Sequence, residues 1–255
     1  MKLSQQELFE FLELKHDQYN QPSFIDSDPV SIPHLFTKKQ DIEIAGFLTA
    51  TISWGNRKSI ISNSGRLMQM MDWDPHNFIL DASENDLAPL RKFVHRTFNG
   101  NDCIFFLQSL KNCYRNHGGL EKLFSMDVHK GLKETISGFR RIFLELSHDP
   151  HVGKHIADPL KNASAKRILM FLRWMVRNDS HGVDFGLWRK ISPSELMCPL
   201  DVHSGNVARK LGLLTRNAND WKAVEELTAS LRLFDPDDPV KYDFALFGLG
   251  VFEDF

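Results

Sequence analysis

Apolar residues recur at helical spacing along almost the whole chain, and this repeat constrains the fold more than any other feature. The clearest segment is 166–177, where Ile168, Leu169, Phe171, Leu172, Met175 and Val176 fall on one face. Beside them Lys166, Met170, Arg173 and Arg177 stand at i, i+4, i+7 and i+11, a separate and mostly basic stripe. The same period runs through 4–16, from Asp41 to Ile52, and through 59–71, 99–116 and 132–146. At 48–52 a strand is the weaker reading, because polar positions do not alternate. Asp201 reads as the N-cap of a helix running to about Leu211 and stopped by Gly212. Asp238 and Pro239 read as the N-cap and first residue of another, ending near Leu249. Stretches 21–31, 81–89, 148–159 and 178–193 carry turn residues and read as loops. The expected fold is all-α.

At 255 residues, 42% hydrophobic and 25% charged, the chain suits one large domain or two interlocked ones rather than a disordered polymer. Its best apolar stretch, 168–176, is interrupted by Arg173 and is about half a bilayer span, so no membrane partner is expected. Glu7, Glu10, Glu13 and Asp17 make 1–18 unlike a secretory signal, and the expected location is cytoplasmic. Cys103, Cys113 and Cys198 form no CxxC pair, which argues against a disulfide framework, a zinc ribbon or an iron–sulfur cluster. The net charge of −2 is unevenly placed: residues 151–216 carry +6 and the remainder −8. Arg57, Lys58 and Arg66 form a further basic patch. Such patches read as a nucleic-acid footprint or as a solvated surface.

Elimination narrows the chemistry. The chain has no GxSxG elbow, Walker loop or GxGxxG. His148, His151 and His155 have spacings that could share a helix face, but Pro150 and Gly153 interrupt that helix, so no metal site is expected. Asp235, Asp237 and Asp238 lack the glycine and terminal Glu of a calcium loop and read as capping residues. What remains is Lys166 at the start of one helix and Asp201 at the start of another. The dipole at Lys166 and its neighbour Arg167 both favour a neutral amine, the form that makes Schiff bases. The dipole at Asp201 favours a carboxylate that can stabilise positive charge. Taken singly, the two read equally as a solvated lysine and a plain cap.

Together these segments resemble the helix-hairpin-helix DNA glycosylase superfamily, nearest to its 8-oxoguanine glycosylase/AP lyase branch. Leu160-Lys161-Asn162-Ala163-Ser164-Ala165-Lys166 occupies the frame of the family hairpin L-P-G-V-G-x-K. Phe171-Leu172-Arg173 resembles the F-L-R that follows the lysine in one branch, and Leu200-Asp201-Val202-His203 resembles its L-D-x-H. Residues 44–54, ending in Ser53 and Trp54, resemble the helix whose loop enters DNA, and 244–248 resemble a late helix. Asn162 and Ser164 stand where the hairpin has glycines, the Lys-to-Asp gap is longer than in endonuclease III, and the cluster cysteines are missing.

The resemblance implies two interlocked helical subdomains with a cleft between them, the first over 40–180 with the hairpin, the second over 1–39 and 181–255. It implies a monomer that flips a damaged base out of double-stranded DNA, removes an oxidised purine and nicks the strand, with no cofactor. Lys166 would be the nucleophile and Asp201 the stabilising carboxylate. Asn162, Ala163 and Ser164 would offer backbone N–H groups to phosphate, with Arg57, Lys58, Arg173 and Arg209 as phosphate partners and His203 at the DNA. Trp54 or Asn56 would fill the gap in the duplex. Two other readings stay open: a non-catalytic nucleic-acid-binding module of the same fold, and an α-helical protein-interaction domain whose acidic part meets a partner.

Overall fold

The computed structural model describes residues 3–253 and 255, and it is all-helical. Its α-helices are α1 (Gln5–Tyr19), α2 (Pro22–Ile25), α3 (Lys39–Thr51), α4 (Arg57–Gln69), α5 (Pro75–Asp81), α6 (Glu84–Leu87), α7 (Gly100–Asn116), α8 (Leu120–Ser125), α9 (Leu132–Phe143), α10 (Lys166–Val176), α11 (Val202–Lys210), α12 (Trp221–Arg232) and α13 (Asp243–Phe252). Short 3₁₀ turns link them, and no β-strand occurs among the described residues. Capping chemistry sets many of the starts. Ser4 and Glu7 form a capping box on α1, Asn99 and Asp102 form one on α7, and Asp201 and Ser204 form one on α11. Asp238 departs from its expected role. It precedes a 3₁₀ turn, Pro239–Tyr242, without a side-chain cap bond, and its carboxylate accepts from Arg177 Nε at 2.8 Å. The acid that caps there is Asp235, which accepts from the backbone N–H groups of Asp237 and Asp238.

The chain divides into two compact units, residues 1–24, 131–133 and 158–255 in one, and residues 25–130 and 134–157 in the other. The hairpin segment and α10 thus belong with the unit that holds both ends of the chain, whereas the sequence reading grouped them with 40–157. Contacts made in space, which sequence order does not report, set this division.

In the unit holding both ends, α13 packs against α1 and α11. Gly248 permits the approach to α1, since a Cβ there would stand 2.1 Å from the Tyr19 ring. Every residue of α10 from Ile168 to Val176 is buried, so its basic stripe is not a solvated face.

The other unit is built around phenylalanine. Phe47, Phe106, Phe139 and Phe143 meet with centroids between 4.9 and 6.2 Å apart, and Phe124 stacks on Phe139 at 4.2 Å. α7 starts where the backbone of Arg91 passes so close to Gly100 that a Cβ would lie 1.9 Å from the Arg91 carbonyl oxygen. No helix among the described residues is long and apolar enough to cross a membrane.

Candidate active site

Lys166 and Asp201, 35 positions apart in sequence, meet in space. Lys166 Nζ lies 3.4 Å from Asp201 Oδ2, and both side chains are 28% exposed. Lys166 is the first residue of α10, and Asp201 is the N-cap of α11. The capping box fixes the aspartate: Ser204 N–H donates to Oδ1 at 3.0 Å, and the Asp201 N–H donates to Ser204 Oγ at 3.0 Å. Burial pushes the Asp201 carboxyl up, but the Lys166 ammonium and the Ser204 N–H outweigh it and hold the group below its ordinary value. Asp201 is therefore a carboxylate at neutral pH, aimed at an amine.

Behind the carboxylate, Asn219 Nδ2 donates to the Asp201 carbonyl at 3.0 Å while its Oδ1 accepts from Arg209 Nη2 at 2.6 Å. Arg209 also donates to the carbonyls of Arg216 and Asn217. This corrects the expectation that Arg209 contacts phosphate: its guanidinium is committed to the 216–219 loop that supports Asp201. Arg173 is corrected for a plainer reason. It is 4% exposed and bonds Asp184 at 3.3 Å and Asp243 at 2.5 Å, so it cannot reach a phosphate.

The hairpin segment keeps two residues in left-handed backbone, Asn162 at φ 64° and Ala165 at φ 51°. Asn162 stands at a glycine position of the family frame, and asparagine tolerates this conformation well. The backbone N–H groups of Asn162 and Ala163 already donate to Pro159 O at 2.8 Å and Asp158 O at 3.3 Å, which corrects their expected role toward phosphate. Asn162 instead joins the hairpin to the start of α12: its Nδ2 donates to Asp220 at 2.9 Å, and its carbonyl accepts from Trp221 N–H. Ser164 follows, half-buried, and α10 then begins without a side-chain cap. His203 is exposed on the first turn of α11, and lies near enough to Asp201 to help hold it ionised.

Trp54, Asn56, Arg57 and Lys58 lie in the other unit, at the loop from α3 into α4. Asn56 and Lys58 are exposed, Trp54 and Arg57 half-buried. Asn56 caps α4 by accepting from Ser59 N–H at 3.1 Å. The Trp54 ring meets His95 edge-on at 5.2 Å and lies along His155 at 6.0 Å.

Sequence reasoning missed the charge network behind the lysine. Asp184 joins Arg173 to Arg177, and Arg177 also bonds Asp179 at 2.5 Å and Asp238 at 2.8 Å. Both guanidinium groups lie over the Phe244 ring, at 4.2 and 5.5 Å. Burial pushes Asp243 up to about 6, even against the pull of Arg173. The spacing of Arg173 and Arg177 on a helix with a buried face was the available signal; of their acidic partners Asp179 and Asp184 follow α10 closely in sequence, while Asp238 and Asp243 come from a distant segment. The sequence also named His151 and His155 but not the Asp102 that meets them: Asp102, His151 and His155 bring ligand atoms within 4.8 Å of one another.

Neither a curated protein nor a solved structure matches the chain. A family model does match it over residues 28–252, which takes in the Lys166–Asp201 pair, the hairpin segment and the 54–58 loop. The chain therefore belongs to the family described as Protein of unknown function (DUF2400).

Proposed function

We propose that this protein is a DNA glycosylase with AP lyase activity, of the helix-hairpin-helix kind, acting on an oxidised purine such as 8-oxoguanine. The observation that carries the reading is the 3.4 Å approach of Lys166 Nζ to Asp201 Oδ2, each part-exposed at the start of its own helix. A Schiff-base glycosylase needs this pair: an amine that can lose a proton, beside a carboxylate that stays ionised. The Asp201 carboxylate stabilises the oxocarbenium-like sugar as charge develops on it, takes up the proton that the Lys166 ammonium sheds on attack, and hands that proton to the departing base. The Lys166 amine forms a bond to C1′ as the bond from C1′ to the base breaks, and the base leaves with the electron pair and gains a proton. Sugar-ring opening gives the Schiff base between Nζ and C1′. Loss of a C2′ proton then expels the 3′ phosphate and cuts the strand.

The surroundings support this reading. Asn162 supplies left-handed backbone where the resembled hairpin has glycine, and α10 opens at Lys166 without a side-chain cap. Lys58 and Arg57 remain the phosphate candidates in the 54–58 loop, with Trp54 and Asn56 as candidates for the gap in the duplex.

Borohydride trapping on duplexes containing 8-oxoguanine or an abasic site tests the proposal. The wild-type protein should form a covalent adduct, Lys166→Ala should form none, and Asp201→Asn should form it at least about a hundredfold more slowly. Folded protein that traps neither duplex rules out the enzyme. If that protein still binds DNA in a salt-dependent way, the non-catalytic module is the correct reading.

A further inference from the structure

We propose that Asp102, His151 and His155 form a binding site for a divalent transition-metal ion, and that Zn²⁺ suits its donors best. Two elements far apart in sequence build it. Asp102 sits in the first turn of α7, and His151 and His155 are the second and last residues of the 3₁₀ turn Pro150–His155. The sequence spacing of the histidines implied a broken helix, but the tighter turn brings both rings to one carboxylate. His151 Nδ1 lies 3.0 Å from Asp102 Oδ1, and His155 Nε2 lies 3.2 Å from Oδ2. Tetrahedral zinc with bonds of about 2.0–2.1 Å holds its ligand atoms about 3.3 Å apart, and the three donor atoms here, one per residue, lie within 4.8 Å of one another, so a small closing movement seats the ion. Two imidazoles and one carboxylate form a known zinc set, and a fourth position can go to water through the His151 side, whose side chain is 39% exposed.

The neighbours hold these donors in place. Asp102 is 1% exposed, and its Oδ2 also accepts from the Asn99 N–H at 2.9 Å, so the cap of α7 orients the carboxylate and leaves lone pairs over. The His155 ring is enclosed by Trp54, Phe98 and Phe106 at centroid distances of 5.0 to 6.3 Å. Lys154 opposes the ion. Its ammonium contacts His151 Nε2, which must then be the unprotonated nitrogen. Ligation through Nδ1 moves the ring proton to Nε2 and sets it against the Lys154 charge. Removal of that charge therefore strengthens binding, which a carboxylate serving only as a hydrogen-bond acceptor for two histidines does not predict.

Full-length protein freed of metal with a chelator would be titrated with Zn²⁺ by calorimetry, and with Co²⁺ while its visible absorption is recorded. One ion per chain is expected, with a Co²⁺ band of a low-coordinate nitrogen and oxygen site. His151→Ala and Asp102→Asn should weaken binding by roughly a hundredfold or more while keeping the wild-type helical circular dichroism. Asparagine at 102 retains the capping acceptor, and His151 is exposed, so neither change should unfold the chain. Lys154→Ala should tighten binding several-fold. Absence of Zn²⁺ heat and of a Co²⁺ band in the wild type, or unchanged affinity in folded His151→Ala, overturns the site.

Discussion

The two units differ in the groups they bury. One packs Phe47, Phe106, Phe139 and Phe143 against each other, a contact that does not change with pH. The other buries Arg173 and Arg177 among Asp184, Asp243, Asp179 and Asp238, beside the ring of Phe244. Burying charge is costly unless the partners are well placed, so such a network is poor material for stability alone. Its position next to Lys166 on the same helix suggests what it does for the molecule: a fixed set of charges holds the helix that presents the amine.

The largest expected effect lies in the aromatic unit. Phe139→Ala removes a ring that meets three others and is 1% exposed. It should cost about 4 kcal/mol in urea unfolding, and about the same at pH 5 as at pH 8. A clear pH dependence there would break the comparison.

Arg177→Met comes next. It strips the shared cation from Asp179, Asp184 and Asp238 and should cost about 3 kcal/mol at pH 8. At pH 5 the loss should be smaller, because the stranded carboxylates can take up protons.

Asp243→Asn is the smallest change and isolates one group. Burial raises the folded-state value of this carboxyl to about 6, above the unfolded 3.8, so the folded chain binds more protons between those values. Its contribution is therefore fully present below about pH 4 and is lost as pH rises through about 6. The asparagine variant should match the wild type near pH 4 and gain on it toward pH 7. A difference that does not vary over this range would show that Asp243 stays ionised throughout. Asp201 has the opposite sign: its depressed value contributes stability at neutral pH that is lost in acid.

Much of the helical frame was legible. Expected helices at 4–16, 99–116 and 166–177 correspond to α1, α7 and α10 within a few residues, because local periodicity and caps act over one turn. α12 was not anticipated, although Asp220 caps it and Trp221, Val224, Leu227 and Leu231 keep the period. The stretch 150–155 read as a loop and forms a 3₁₀ turn that its Asp149 cap and Pro150 start. Among the site residues, Lys166 and Asp201 could be singled out by type and by position at helix starts. Arg173 and Arg209 could not be told from free cations, because a basic side chain looks the same in sequence whether it meets water or a buried acid.

By itself, then, the sequence determined an all-helical chain and the two helix starts that carry Lys166 and Asp201. Those properties depend on spacings of a few residues and on the intrinsic preferences of Asp and Pro. Only the tertiary structure decided that the lysine and aspartate meet, that the basic stripe of α10 turns inward to acids from 179–184 and 238–243, and that Asp102 joins two histidines from 49 and 53 positions away. Apart from Asp179 and Asp184, which follow α10 closely, the partners come from distant segments. Coulombic and hydrogen-bonding forces act over a few ångströms, and the separation of two residues along a chain does not fix their distance in space.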